Sequence, residues 1–98
     1  MKGPRALLLV EDNDQDAELI SMTVEKNFLD IRLERVQDGM EAMEILQRNN
    51  EIISNLAFIL LDIKMPKMNG IEILLWIRKN NRLKYIPVVM FSSSKEPR

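Results

Sequence analysis

Cysteine and histidine are both missing from these 98 residues, and the two absences remove much of the usual side-chain chemistry. Without Cys there is no disulfide, no thiol nucleophile and no thiolate metal site, which suits a reducing compartment. Without His there is no imidazole general base and no His-ligated zinc, so any bound metal must be a hard cation held by oxygen. No stretch approaches the roughly 20 apolar residues that a spanning helix requires. The opening Met1-Lys2-Gly3-Pro4-Arg5 precedes only a short apolar run and has no signal-peptide pattern. An excess of charge of one sign is also lacking: 14 Lys plus Arg stand against 15 Asp plus Glu, a net charge of -1, so no basic field draws the chain to nucleic acid or anionic lipid. Neither of the glycine-rich nucleotide fingerprints occurs. What remains, 46% hydrophobic and 30% charged residues, predicts one small, soluble, cytoplasmic globular domain with no membrane or nucleic-acid partner.

Local patterns divide the chain into alternating elements. Ala6 to Val10 is an unbroken apolar run stopped by Glu11 and Asp12, the pattern of a parallel strand buried on both faces. Asn13 or Asp14 caps a following helix, on which Ala17, Ile20, Val24 and Phe28 share one face. Ile31 to Val36 mixes apolar and charged residues as a short edge strand does. Asp38-Gly39 turns the chain into a helix with Gly39, Ala42, Met43 and Leu46 on one stripe, ending near Asn49-Asn50. Ala57 to Leu61 is a second central strand, stopped by Asp62. A loop runs from Ile63 to Gly70, where Pro66 and Gly70 set its path, and a helix then aligns Gly70, Ile73, Leu74 and Ile77. Val88 to Phe91 is a last strand, followed by Ser92-Ser93-Ser94. The order βαβαβαβ points to an α/β fold, a parallel sheet with helices on its faces joined by right-handed crossovers. Trp76, off its helix stripe, reads as a rim residue, and Arg78, Lys79, Arg82 and Lys84 as a solvated helix end.

Ligands of such sheets bind beyond the carboxyl ends of the strands, and Glu11, Asp12, Asp62 and Ser92 all fall at such ends. A single acid at a strand end is ordinarily just solvated. Three that converge repel one another and call for a cation. Magnesium suits them, because it prefers oxygen, keeps several waters and uses one or two carboxylates with phosphate oxygens. A carboxylate is also a nucleophile for phosphoryl transfer. Asp62, between the acid pair of the first strand and the Ser92 hydroxyl, is the best placed to attack.

The runs LLLVEDNDQDAELI, ILLDIKMPKMNGIEIL and IPVVMFSSS resemble, in order and spacing, the three signature segments of response-regulator receiver domains. The details look closest to small regulators partnered with bacterial phytochrome kinases. The resemblance implies a flavodoxin-like doubly wound sheet, with strand order 2-1-3-4 for the strands present, and transfer of phosphate from a sensor histidine kinase onto Asp62. It implies Mg2+ bound directly by Asp12, through water by Glu11, and by Asp62 and the Lys64 backbone carbonyl. It also implies that the Ser92 hydroxyl and the Ser93 backbone N–H meet the phosphoryl group. Such a protein is not a conventional enzyme, since it catalyses only its own phosphorylation and dephosphorylation.

The family pattern continues past Arg98 through a helix, a fifth strand ending in Lys-Pro and a last helix, so residues 1–98 are expected to form a receiver domain incomplete at its C-terminus. A fourth strand left as an apolar edge predicts a homodimer. Two rival functions remain: a receiver-like interaction module without phosphorylation, and a small aspartyl-nucleophile phosphatase.

Overall fold

The computed structural model describes residues 5–48, 50–65 and 68–92. Strand β1 (Arg5–Val10) leads into helix α1 (Asp14–Asn27), β2 (Ile31–Val36), α2 (Gly39–Arg48), α3 (Asn50–Asn55), β3 (Leu56–Asp62), α4 (Gly70–Lys79) and β4 (Val88–Phe91). The strands form one sheet in the order β2-β1-β3-β4, and every pairing is parallel. This is the flavodoxin-like order expected from the resemblance.

The order decides which face each helix covers. From β1 the chain moves one way to β2 and then back across β1 to β3 and β4. Right-handed crossovers therefore place α1 on one face and α2, α3 and α4 on the other. The main core lies on the second face, where Leu8 and Val10 of β1 and Ile59 and Leu61 of β3 meet Leu46, Ile52, Ile73 and Ile77. Leu7 and Leu9, also fully buried, alternate to the first face, where α1 buries Ala17 and Val24.

Helix starts follow local chemistry. Between Asn13 and Asp14 it is Asn13 that caps α1, its Oδ1 accepting from the Asp16 N–H at 2.8 Å. Asp38 accepts from the Glu41 N–H at 2.9 Å and so opens α2. At α4, Asn69 and Glu72 form a reciprocal capping box: the Glu72 N–H bonds Asn69 Oδ1 at 3.0 Å and the Asn69 N–H bonds Glu72 Oε1 at 2.9 Å.

One expectation is corrected, and the structure adds detail at three other places. Phe28 does not join the apolar face of α1: the helix stops at Asn27, Phe28 leaves helical geometry as C-cap with φ -134° and ψ 84°, and it is 51% exposed. Helix α3 was not expected, because six residues carry too little periodicity to register, yet its Ile52 is buried in the core. Trp76 packs partly buried against that core. Arg78 stays exposed at the helix end, and its Nη1 also donates to the carbonyls of Lys84 at 2.9 Å and Ile86 at 3.0 Å. It thereby ties the loop leading into β4 to the end of α4. Asn49 and Pro66 lie outside the described residues. Among the described residues, no helix is long and apolar enough to cross a membrane.

Candidate metal and phosphoacceptor site

The register brings the acids together. Val10 pairs with Leu61, so the next residues, Glu11 and Asp62, emerge side by side at the carboxyl end of the two central strands. Asp12 is one step further along the turn into α1. Each of the three acids offers a carboxylate oxygen, and these oxygens all lie within 4.8 Å of one another. Glu11 and Asp62 are wholly buried, while Asp12 is half-buried.

Backbone donors hold two of these side chains. The Asn13 N–H bonds Glu11 Oε2 at 2.9 Å and the Lys64 N–H bonds Asp62 Oδ1 at 3.1 Å. Burial of carboxylates costs several kcal/mol each unless bonds or opposite charge offset it. N–H donors supply part of that offset, and a hard divalent cation with retained water fits a cluster made only of oxygen ligands. The residues present therefore suit such an ion.

Of the other expected site residues, Ser92 follows β4 directly and is exposed. Its neighbour Phe91 is the register partner of Asp62 and accepts from the Ile63 N–H at 2.8 Å, which fixes Ser92 beside the end of β3. Lys64 begins the loop two residues after Asp62, where its N–H is already engaged with that acid. Ser93 lies outside the described residues. One neighbour was missed from the sequence, Arg35. Its Nε donates to the Glu11 carbonyl at 2.9 Å and its Nη1 lies 3.0 Å from Asp14 Oδ1. The available signal was a cation next to the end of an edge strand, but which strand lies beside β2 is a tertiary matter.

The sheet is thus parallel throughout, in the order β2-β1-β3-β4, with acids clustered at the carboxyl ends of its two central strands. The family model for the response regulator receiver domain matches residues 7–98, and the chain belongs to that family. Response regulator Rcp1 of Synechocystis sp. is 38% identical over 93 residues, which cover 93% of this chain and 63% of Rcp1. The chain thus spans less than two thirds of that relative's length. The Mn(2+)-bound form of Rcp1 superimposes with a TM-score of 0.80 at 37% identity, over 95% of this chain and 68% of that one. The bacteriophytochrome response regulator AtBRR is similar at a TM-score of 0.82 and 37% identity, over 96% of this chain and 70% of its own. The phosphorylated cyanobacterial phytochrome response regulator RcpA gives 0.81 and 38%, over 96% and 69%.

Proposed function

We propose that this chain takes a phosphoryl group from the phosphohistidine of a sensor histidine kinase onto Asp62, with Mg2+ held by Glu11, Asp12, Asp62 and the Lys64 backbone carbonyl. The observation that carries the reading is the meeting of three carboxylate oxygens within 4.8 Å at the strand ends. Support comes from the relatives, one solved with Mn2+ and another phosphorylated, both named as response regulators, and from the phytochrome association in the names of AtBRR and RcpA.

In this reading a carboxylate oxygen of Asp62 attacks the phosphorus in line with the P–N bond of the donor. The O–P bond forms as the P–N bond breaks, the P–N electron pair leaves on the imidazole nitrogen, and a proton already on the other ring nitrogen or taken up from solvent makes the released imidazole neutral. The Lys64 N–H, bonded to Asp62 Oδ1, fixes the side chain's orientation. Ser92 supplies a hydroxyl donor to a phosphoryl oxygen, and the Ser93 N–H a second donor. When bound, Mg2+ supplies positive charge against the transferring oxygens.

Intact mass after incubation with acetyl phosphate and Mg2+ tests the reading. A gain of one phosphoryl group is expected, and a folded chain that never gains it refutes the proposal. Metal binding is checked separately by calorimetry: Asp12→Ala should weaken Mg2+ at least about tenfold, since so few protein ligands hold the ion. Binding equal to the parent's would remove Asp12 from the site.

A homodimer belongs to the same proposal. On the face covered by α1, Leu60 pairs in register with Val89, and Val89 on β4, the outermost strand on that side among the described residues, is 49% exposed. A second copy seated on this row would cover apolar surface that water now meets. Light scattering at micromolar concentration should report twice the chain mass, reduced to the single mass by Val89→Lys. A strictly monomeric parent would contradict this part of the proposal.

A further inference from the structure

We propose that Arg35 is a positioning residue for the cation site, one that holds the β1–α1 turn in the shape that presents Glu11 and Asp12. The inference rests on the metal reading above and deepens it. Arg35 is the penultimate residue of β2, in register with Leu9 of β1. Its guanidinium reaches past the end of β1, where Nε donates to the Glu11 carbonyl at 2.9 Å and Nη1 meets Asp14 Oδ1 at 3.0 Å.

Those two contacts bracket the turn. Glu11 is its first residue and Asp14 the first of α1, with Asp12 between them. The Glu11 N–H is itself bonded to the Val36 carbonyl at 3.1 Å. Both main-chain groups of Glu11 are therefore held by β2, and Arg35 extends the β1–β2 ladder one residue beyond the point where strand pairing ends.

The geometry is not that of a surface ion pair. Asp14 is exposed, so its pairing with Arg35 alone contributes little. The bond to the Glu11 carbonyl is different: it is charge-assisted, the Arg35 side chain is only 23% exposed, and its Nη2 is buried with no hydrogen-bond partner among the described residues. A packed guanidinium has few other places to go, and the turn it grips inherits that rigidity. Residues that orient metal ligands from behind typically change metal affinity 10–100-fold when removed.

The sign of the effect separates this role from the alternatives. If Arg35 acted only through its charge, removing it would strengthen Mg2+ binding, because a cation next to the site repels another. If it acted only in packing, stability would fall and affinity would not change. Positioning predicts the opposite of the first and more than the second. Calorimetry of the 98-residue chain with Mg2+ should show Arg35→Met binding about tenfold more weakly than the parent, with circular dichroism confirming the same folded content. Arg35→Lys keeps the charge but reaches only one end of the turn, and should fall between the two. It also serves as the test if the Met variant does not fold. Parental or tighter affinity in whichever folded variant is measured overturns the positioning role while leaving the metal site intact. A parent chain that binds no Mg2+ at all overturns the metal reading, and this proposal with it.

Discussion

Asp62→Asn should take up no phosphoryl group from acetyl phosphate or from a kinase, and the same change should make the metal-free fold more stable. The first half follows from chemistry, because the amide keeps the size of the carboxylate but has no nucleophilic oxygen of comparable strength. The second follows from electrostatics. Three carboxylates reach within 4.8 Å of one another, and at the effective dielectric of a protein a like-charge pair at that range costs on the order of 3 kcal/mol. Asn removes one of the charges, and its carbonyl oxygen can keep the bond from the Lys64 N–H. Thermal unfolding in the presence of a chelator should therefore show Asp62→Asn above the parent, and intact-mass measurement should show incorporation below detection. Losing activity while gaining stability is the signature of a strained functional cluster. Incorporation that persists in Asp62→Asn would mean that another residue is the acceptor.

Gly70→Ala should destabilise the chain by about 2–3 kcal/mol, a large effect for one methyl group. Gly70 starts α4 directly against the end of β3, with its N–H bonded to the Ile63 carbonyl at 3.0 Å. A Cβ there would lie 2.5 Å from the Asp62 carbonyl oxygen and 2.9 Å from Ile63 Cα. Both obstacles are backbone, so nothing yields cheaply. The backbone that must move carries Asp62, and phosphoryl uptake should fall along with stability. Gly39→Ala is the control. Its Cβ would meet the Ile73 Cδ1 at 2.6 Å, the Ile73 Cγ1 at 3.0 Å and the Met68 Sδ at 3.2 Å, side-chain atoms rather than backbone, so the cost should be smaller, about 1 kcal/mol. Urea midpoints of the two variants provide the comparison. Equal midpoints would show that β3 and α4 shift apart without penalty, and the argument for a glycine at position 70 would fail.

Much of this protein was legible before any coordinates. Apolar runs ended by acids marked β1 and β3, because a parallel strand buried on both faces has no polar alternation and its carboxyl end is where polar residues resume. The alternation of such strands with helical stripes at Ala42, Leu46, Ile73 and Ile77 was enough for the α/β class. Glu11, Asp12, Asp62 and Ser92 were recognisable as strand-end residues for the same reason, and the segment from Ile59 to Leu74 carried the family resemblance. The limits show at particular residues. Phe28 sits at helical spacing from Val24, yet the helix ends one residue earlier, and a period cannot say where the hydrogen bonds stop. Ile52 and Ile53 are adjacent, too short a run for either period, so α3 stayed invisible until its burial in the core could be seen.

What the sequence by itself determined, then, is the kind of seven of the eight elements and the acids that close β1 and β3, since these depend on neighbours within a few positions along the chain. Only the tertiary structure decided which ends meet. The adjacency of β1 to both β2 and β3 brings Glu11 beside Asp62 and lets Arg35 reach the Glu11 carbonyl from 24 residues away. The physical reason is that strand order and register are set by the packing of the whole core. A one-residue slip would reverse every side chain on a strand, and no local periodicity records which of the possible pairings buries the most surface.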